Sequence, residues 1–581
     1  MKTEWFFSRS GQIICPLPHI YRSEAGNLFS NRAHMKANLD GRGVIILLDG
    51  YVLPRMKCFE RYKAYHDEDL IFRLFQRYQF DFIDYVKGLF VLILAIDGNF
   101  HVYSDHLGIR KFFYIIKDHR SVIITSNLKH IAANTQLDID ATNLFINILF
   151  NHYIDGRTAF KNVFYSQPAS RITLSAENIA FDNYWDVDAL LEARRGAYSI
   201  NFMADFFKSL TRSYVEYFKP AQISLSITGG LDCRQIMAAL LANSVAPRTY
   251  TYGHLDAIDV HYGRQVAKQM GLEHSHYYPR IVSKNWYQPL VNEIVEKGNS
   301  ITSIHRAHRL YAIKHESSKC DLMFLGYMGG EIVRGNWPDD LITSAFMRLY
   351  WQGKKCPADL IIEHARQNFY KLQGINLQEL QSHLASLRFI GHSSKINNFY
   401  FLFLVQAFLH YAQDLNLFSH YIKYVVPIFI DIDYLEKIFN SRYSMLFRAN
   451  LTKSKIRRFK STYFSCYMID KMWPRLGAIV LSKGYSPREL LSNKILMLIK
   501  RQYRIIRQKT FAPSFKYGTW YYDFFMGHMP ACNEVKRFFD VDHALEAIAN
   551  YSHVFSDERS CLPFTRIIEL QLMAKHFGIS L

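Results

Sequence analysis

Cysteine is scarce and scattered in this sequence. The 8 cysteines of the 581-residue chain are widely separated, and no two of them form a C-x-x-C pair. This spacing signals neither a disulfide framework nor a zinc site. A reducing compartment is the simplest setting for such a chain, so we expect a cytoplasmic protein.

Long apolar runs are also missing. The longest one, residues 88–96, stops at Asp97 and predicts a buried strand instead of a membrane span. Residues 1–7 contain Glu4 and hold too short an apolar segment for a signal peptide. We therefore predict neither a membrane-spanning segment nor a secretion signal.

Positive charge is in excess, but the motifs of nucleic-acid recognition are absent. The formal net charge is +19, and basic residues cluster at residues 453–460 and 500–509. Since no recognition motif accompanies these clusters, no nucleic-acid partner is expected. We interpret them as a solvated basic face; a site for a polyanionic nucleotide or an acidic peptide is the functional alternative.

The sequence is rich in apolar residues, which make up 49% of it and suffice for the cores of two or more domains. Its first third is β-rich. Residues 44–48 predict a strand that ends at a turn at Asp49-Gly50, and residues 90–96 and 100–104 predict a hairpin around Asp97-Gly98. Antiparallel sheets with a helix or two predict an α+β domain.

A glycine-containing stretch organises the second part of the chain. Residues 223–227 are β-prone, Gly229 and Gly230 follow, and a helix-forming run begins near Asp232. This order is typical of an anion-binding turn, because glycines let the backbone approach the anion and the helix start directs N–H groups at it. Hydroxyls such as those of Ser226 and Thr228 can bind phosphate, and a carboxylate can hold magnesium. A plain turn between a strand and a helix is the alternative for this stretch alone.

The residues beyond this loop repeat the alternation of strand and helix. Strands are predicted at residues 248–253 and 273–278, with a helix at residues 259–269 between them. Such alternation predicts a parallel, doubly wound sheet whose ligands bind at the strand ends.

The first part resembles the glutaminase half of asparagine synthetases. Residues 67–69 and 80–90 align with that family's "D-T-E … G-x-F-A", and residues 104–114 align with "R-D-x-x-G-I-K-P-L-Y-Y". The resemblance implies an Ntn-hydrolase-like antiparallel sandwich.

The same resemblance predicts that glutaminase activity is lost. The family places a cysteine nucleophile after the initiator methionine, where this chain has Lys2, and its Asn-Gly-Glu segment is here Asp49-Gly50-Tyr51. A carboxylate accepts hydrogen bonds and would repel a developing oxyanion. We expect a retained scaffold without glutaminase activity.

The second part resembles the ATP-pyrophosphatase domain of asparagine synthetases and β-lactam synthetases, whose fingerprint is S-G-G-L-D-S. Residues 228–233 match it with Thr228 and Cys233 in place of the two serines. Residues 321–335 resemble "L-S-G-x-G-x-D-E-x-x-x-G", with Glu331 as the metal carboxylate or, alternatively, a surface residue that starts a helix. Tyr327 resembles the tyrosine that helps to activate the nucleophile in β-lactam synthetases.

A third landmark completes this resemblance. Residues 425–431 resemble "P-F-L-D", and Lys453 fits the transition-state lysine of "K-x-x-L-R", with Lys455 as the alternative. His305 and His308 lie three residues apart, but without a third ligand we interpret them as polar helix residues.

These resemblances define the domains and sites that we expect. The fold class is α/β plus α+β: a degenerate amidotransferase-like domain (1–185), a doubly wound ATP-pyrophosphatase domain of the adenine nucleotide α-hydrolase type (195–486) and a basic helical tail (487–581) packed on or beside it. The catalytic residues implied are Lys453 and Tyr327, the metal ligands are Asp232 and Glu331, and the ATP-binding residues are Ser226, Ile227, Thr228, Gly229, Gly230, Asp232, Cys233, Tyr252, Leu325 and Gly326.

The reaction implied is the activation of a carboxylate by ATP and Mg²⁺, followed by attack of an amine or ammonia with release of AMP and pyrophosphate. The substrate is a small-molecule or peptide carboxylate. Asparagine synthesis is the family's default reaction, whereas loss of the glutaminase, together with Arg234 and Tyr327, favours relatives that join internal groups, such as β-lactam synthetases and lasso-peptide cyclases.

Two further interpretations are a polysaccharide-modifying amidotransferase and a catalytically inactive nucleotide-binding or assembly protein. The first would ordinarily require a source of ammonia, and the second would follow from the substitutions at key positions of both domains. A homodimer or a complex with another protein of a biosynthetic cluster is the expected assembly.

Overall fold

The N-terminal part of the chain folds into two antiparallel six-stranded sheets. The computed structural model describes residues 4–9, 13–32, 34–118, 121–150, 152–192, 198–279, 286–334, 375–386, 399–444, 455–507, 511, 524–529, 532–550 and 558–579. The strands are β1 (Trp5–Arg9), β2 (His19–Ser23), β3 (Gly26–Ser30), β4 (Met35–Leu39), β5 (Arg42–Pro54), β6 (Val86–Ile96), β7 (Asn99–Ser104), β8 (Phe113–Asp118), β9 (Ser121–Thr125), β10 (Phe164–Tyr165), β11 (Ser170–Leu174), β12 (Ile179–Asn183), β13 (Ile223–Ser226), β14 (Arg248–Tyr252), β15 (His274–Tyr277), β16 (Leu322–Phe324) and β17 (Tyr424–Val426).

The two antiparallel sheets stack face to face, as the sequence predicts. Their strand orders are β10-β8-β9-β1-β3-β2 and β12-β11-β7-β6-β5-β4. Trp5 and Phe7 of the first sheet share a buried cluster with Ile45 and Leu47 of the second. Alternate residues of a strand point to opposite faces, so Ile46 of β5 joins a different cluster on the outer face of its sheet. Both faces are therefore apolar, which explains the continuous apolar runs in the sequence.

The predicted hairpin is confirmed, but the predicted turn at Asp49-Gly50 is wrong. Strand β5 continues through these residues to Pro54 and pairs with β6 along its length. Gly50 has a φ of +118° and Gly88, on the neighbouring strand, has a φ of +139°. A Cβ on Gly50 would lie 2.1 Å from the carbonyl oxygen of Leu89. This glycine lets two strands approach closely; it does not reverse the chain.

The second part of the chain contains a five-stranded parallel sheet, as predicted. Its order is β15-β14-β13-β16-β17, and every pairing in it is parallel. The order reverses at β13, whose neighbours are β14 and β16. In sheets of this kind ligands bind outside the carboxyl ends of the strands where the order reverses.

Helices connect and cover the sheets. The α-helices, with one π-helical segment, are Phe59–Tyr62, Asp67–Tyr78, Leu128–Asn134, Ala141–Phe150, Ile200–Phe218, Asp232–Ala242, Ile258–Met270, Tyr287–Lys297, Ala307–Glu316, Gly329–Arg334, Leu377–Ser386, the π-helical Phe401–Tyr411 continued by Ala412–Phe418, Ile432–Phe439, Lys455–Met472, Pro474–Gly477, Pro487–Ser492, Lys494–Ile506, Val541–Asn550 and Glu558–Phe577. Short 3₁₀ helices are Gln79–Tyr85, Val187–Leu190, Ile304–Arg306, Ile428–Ile430 and Asn533–Arg537. Across the described ranges, none of the helices combines the length and apolarity that crossing a membrane requires.

A buried ionic cluster joins the two parts of the chain. Lys87 of β6 lies 2.8 Å from Asp431 and 2.9 Å from Asp433, at the start of helix Ile432–Phe439. Arg55 donates to Asp433 at 2.9 Å. The hydroxyl of Tyr51 donates to the carbonyl oxygen of Val425 in β17 at 2.9 Å. The third landmark of the sequence therefore forms part of the contact between the two parts.

The C-terminal helices pack against the parallel-sheet region. Glu569 accepts a hydrogen bond of 2.6 Å from the backbone N–H of Ile304. In helix Lys494–Ile506, Arg504 donates to the carbonyl oxygen of Gly484 at 3.2 Å. The sequence predicts a solvated basic face here, but the most exposed face of this helix is formed by apolar side chains.

Candidate active site

The loops that follow β13 and β16 meet where the order of the parallel sheet reverses. After β13 the chain passes through residues 227–231 into helix Asp232–Ala242, as the strand–loop–helix pattern predicts. After β16 it passes through residues 325–328 into helix Gly329–Arg334. Helix starts concentrate unpaired N–H groups and a partial positive charge, so this edge of the sheet favours an anion.

Intramolecular contacts fix the first loop. The N–H of Gly230 donates to the hydroxyl oxygen of Thr228 at 3.2 Å, and the N–H of Gly229 donates to Asp259 Oδ1 at 3.2 Å. Burial raises the pKa of Asp259. The carboxylate of Asp259 holds the loop from helix Ile258–Met270, a contact that the sequence motif does not show.

The two loops pack against each other through glycines. A Cβ on Gly329 would lie 2.8 Å from Asp232 Cβ, and one on Gly326 would lie 2.9 Å from Cys233 Sγ. Such distances leave no space for a side chain at either glycine. The loop of residues 227–231 and the segment of residues 325–329, which are far apart in the sequence, thus form one continuous surface. The resemblance implies that these two segments lie together.

A cavity of about 220 Å³ opens on this surface. Nine of the predicted site residues line it: Ser226, Thr228, Gly230, Asp232, Cys233, Tyr252, Leu325, Gly326 and Tyr327. The remaining walls come from Tyr250, Arg309, Ile313 and Phe418. Of the other predicted residues, Ile227 is fully buried behind the loop and Gly229 packs against Ser482. Lys453 lies outside the described residues.

Tyr327 projects from this surface towards a buried carboxylate. Its hydroxyl donates to Asp414 Oδ2 at 3.0 Å. Arg306 and Arg309 contact the same oxygen, at 3.2 Å and 2.5 Å. Burial alone would raise the pKa of Asp414, but the two guanidinium groups lower it overall. Burial and the neighbouring Asp414 raise the pKa of Tyr327, so this phenol is neutral and donates its proton to an ionised carboxylate.

Glu331 lies on the other side of Tyr327. The ring of Tyr327 stacks on that of Tyr411 with centroids 4.5 Å apart, and the hydroxyl of Tyr411 donates to Glu331 Oε1 at 3.3 Å. Burial and the nearby carboxylates of Glu331 and Asp232 raise the pKa of Tyr411. Both predicted metal ligands therefore lie near the same phenol, although only Asp232 lines the cavity.

The donor set fits magnesium that arrives with a nucleotide. Magnesium is usually held by one or two carboxylates together with phosphate oxygens and water. Asp232, at the cavity wall, could supply one such carboxylate and Glu331, outside that wall, a second, while the described residues contain no cluster of three or more metal-ligating side chains. Within those same residues, His305 and His308 belong to no such cluster; both are buried, and His305 Nδ1 lies 2.7 Å from the hydroxyl of Ser303.

Cys233 and Arg234 follow the loop at the start of its helix, with Cys233 at the cavity wall and Arg234 behind it. Burial, with the nearby carboxylates of Asp232 and Asp259, raises the pKa of the Cys233 thiol to about 12. Arg234 is fully buried and donates to the carbonyl oxygens of Ile479 and Val480 at 3.0 Å. The guanidinium therefore faces away from the cavity, and it fastens the helix to a distant segment.

A second cavity lies between the two parts of the chain, beside Asp49. Its volume is about 610 Å³, and Gly50, Tyr51 and Arg110 line it together with residues of 415–425. The buried carboxylate of Asp49 accepts hydrogen bonds from Arg110 Nε at 2.9 Å and from Trp5 Nε1 at 3.3 Å. An anion fixed by an arginine therefore occupies the position at which the resemblance expects an oxyanion donor.

Comparison with known proteins identifies the N-terminal part. Residues 56–185 match the family described as glutamine amidotransferase domain. The chain thus contains a glutamine amidotransferase-type domain built on antiparallel sheets. No curated protein matches the sequence.

One similar solved structure is a glutamine phosphoribosylpyrophosphate (PRPP) amidotransferase from B. subtilis complexed with ADP and GMP. It shares 7% identity at a TM-score of 0.21, over 48% of this chain and 85% of that one. A TM-score this low supports no conclusion about the function of this chain.

Proposed function

We propose that this protein is an ATP-dependent ligase of the asparagine-synthetase type, which adenylates a carboxylate and forms an amide without hydrolysing glutamine itself. The carboxylate attacks the α-phosphorus of ATP, the bond to pyrophosphate breaks, and an amine or ammonia then displaces AMP from the acyl carbon, losing one proton. The observation that carries this proposal is the meeting of the Gly229–Gly230 loop and the Gly326–Gly329 segment at the switch point of the parallel sheet.

The residues at this edge suit the first step. The hydroxyls of Ser226 and Thr228 face the cavity and can donate to phosphate oxygens. Arg309 adds positive charge to the cavity wall, where charge develops as pyrophosphate leaves. Asp232, with Glu331 nearby, would hold magnesium, which supplies charge neutralisation on the phosphates. Lys453, which the resemblance assigns to the transition state, completes the proposed set.

The amidotransferase-type domain is proposed to lack glutaminase activity because Asp49 already carries the negative charge that an oxyanion would bring. Its carboxylate is buried and paired with Arg110, so it cannot donate to an oxyanion. Tyr51, which stands where the family grips glutamine, directs its hydroxyl to Val425 instead. Ammonia or an amine must then come from solution or from the substrate.

The test of the ligase is pyrophosphate release from ATP by the full chain, with magnesium and panels of carboxylates and amines. A carboxylate labelled with a heavy oxygen isotope should transfer one labelled atom to AMP, which distinguishes adenylation from simple hydrolysis. Asp232→Asn should lower the release by roughly a hundredfold or more, while Asp256→Asn, at an exposed carboxylate, should not change it.

If the protein neither binds ATP nor releases pyrophosphate under any condition, the ligase proposal is contradicted. ATP binding without release would favour the inactive nucleotide-binding protein. Release of glutamate from glutamine would contradict the proposed loss of glutaminase activity.

The contact between Tyr327 and Asp414 favours a second, narrower candidate: a cyclase that joins two groups of one substrate. A neutral phenol that donates to an ionised carboxylate has lone pairs left to accept an N–H of an attacking amine. Such a contact orients a bulky, less reactive amine, whereas ammonia is small and needs little orientation. Product mass distinguishes the candidates: cyclisation removes one water from a single substrate, and intermolecular ligation joins two.

A further inference from the structure

Helix Lys494–Ile506 turns its apolar face to solvent. The exposed fractions are 73% for Ile495, 61% for Ile499 and 74% for Ile506. Leu496, Leu498 and Tyr503 are also exposed, each by about half. With successive residues about 100° apart, these six side chains fall on one face about 160° wide, which also contains the exposed Gln502.

The opposite face attaches the helix to the protein. Met497 is buried. Arg504 donates to Glu489 and to the carbonyl oxygen of Gly484, and Arg501 donates to the carbonyl oxygen of Lys483 at 3.2 Å. Amphipathic surface helices normally pack their apolar side inward. Here polar contacts hold the helix, and its apolar side points away from the body.

Cations border the apolar face on both sides. At about 100° per residue, Lys494 and Arg501 lie along one edge and Lys500 and Arg507 along the other. Residues 494–507 include no aspartate or glutamate. An apolar face between two cationic edges is the pattern of helices that lie in the interface of a membrane.

We propose that this helix docks the protein on the surface of an anionic lipid bilayer. The apolar side chains would enter the boundary between headgroups and acyl chains, while the bordering cations contact anionic headgroups. A second copy fits less well, because pairing two such faces would bring their cationic edges together, and among the described residues only Lys500 of the four bordering cations has a carboxylate nearby, that of Glu489 at 3.5 Å. This proposal is independent of the proposed ligase activity.

The test is flotation of the full chain with vesicles of phosphatidylcholine alone or with about one third phosphatidylserine. We expect binding to the anionic vesicles, weakened by salt, and little binding to the neutral ones. The double variant Lys494→Gln/Arg507→Gln should weaken binding to anionic vesicles roughly thirtyfold, because each cation near an anionic surface strengthens binding about fivefold. Ile499→Glu/Ile506→Glu should weaken it more than tenfold, since both side chains would carry charge into the apolar boundary.

Ile14→Glu is the matched control, because Ile14 is 66% exposed in the N-terminal part. It should bind vesicles like the wild type, and circular dichroism and thermal melting should show that all variants fold. Absence of binding, equal binding to neutral vesicles or unchanged binding of Ile499→Glu/Ile506→Glu would overturn the proposal. So would a dimer, seen by light scattering, that Ile499→Glu/Ile506→Glu converts to monomer, or binding to an acidic polypeptide but not to vesicles.

Discussion

The hydroxyl of Tyr327 donates a 3.0 Å hydrogen bond to Asp414, a buried carboxylate that Arg306 and Arg309 keep ionised. The Tyr327 hydroxyl is therefore oriented towards Asp414 and stays protonated. Because it also lines the proposed nucleotide cavity, it is well placed to orient a nucleophile without serving as a strong base.

Tyr327→Phe should separate the two steps of the proposed reaction. Without the hydroxyl, we expect amide formation to fall about a hundredfold, while ATP-dependent pyrophosphate exchange stays close to that of the wild type. Tyr463→Phe, at a partly exposed tyrosine of helix Lys455–Met472, is the control. If Tyr327→Phe loses both steps equally, Tyr327 maintains the shape of the cavity and does not orient the nucleophile.

Gly329→Ala should disturb the cavity without removing any functional group. The new methyl group would lie 2.8 Å from Asp232 Cβ, so that carboxylate must move. We expect a loss of about 1–3 kcal/mol in the free energy of unfolding and a loss of pyrophosphate release of more than about tenfold. Gly527→Ala is the control: Gly527 is helical and exposed, and its added Cβ would meet no other part of the protein within 4 Å, so it should leave release unchanged and should not lower the free energy of unfolding. Unchanged release in Gly329→Ala would show that the position of Asp232 does not matter.

Lys87→Met should weaken the attachment of the amidotransferase-type domain. Removing the ammonium leaves Asp431 and Asp433 close together in a buried site, which should lower the free energy of unfolding by about 3–5 kcal/mol. Lys63→Met removes a lysine whose pair with Glu60 is exposed, so its unfolding midpoint in urea should match that of the wild type. Equal midpoints for both variants would contradict a stabilising role of the buried cluster.

Stability should fall as the pH drops from about 6.5, and His106 should account for part of the fall. Burial lowers the pKa of His106 to about 3, and Arg55 adds to this effect. In the unfolded chain the His106 imidazole is protonated near pH 6.5, whereas in the folded protein it is protonated only near pH 3. The unfolded state therefore binds more protons throughout this window, and acid favours unfolding.

His106→Gln should make the melting temperature less dependent on pH between about 6 and 4.5, above the range in which most carboxylates titrate. His101 and His274, whose pKa values burial lowers to about 4, will continue to contribute. The same slope in the variant and the wild type would show that His106 accepts its proton in the folded protein at its ordinary pKa.

Short sequence patterns correctly predicted the turns and the strand–helix order that depend on neighbouring residues in the chain. The Asp97-Gly98 hairpin forms because both residues adopt the positive φ that a tight turn needs. The strand–loop–helix at Gly229 also forms as predicted, but there glycine permits close packing, since a Cβ on Gly229 would lie 2.5 Å from Ser482 Cβ. Strand–helix alternation predicted the parallel sheet. At Asp49-Gly50 the same dipeptide wrongly predicted a turn. Its glycine instead lies against a neighbouring strand, a contact that only the folded sheet shows.

Side chains from distant elements could not be assigned to the site from the sequence. Asp414 follows a π-helical segment, and no spacing relates it to Tyr327. Asp259 holds Gly229 from a helix that the motif does not include. Arg234, which in the sequence favours relatives that join internal groups, is buried against backbone carbonyls. Each of these contacts depends on tertiary packing, which a one-dimensional pattern does not contain.

The buried cluster at Lys87 has a consequence for the gene. A shortened gene that encoded only the parallel-sheet region would leave Asp431 and Asp433 without the cations that neutralise them, and Val425 without the phenol of Tyr51. Deletions across the N-terminal coding sequence would thus be selected against even where they remove no catalytic group.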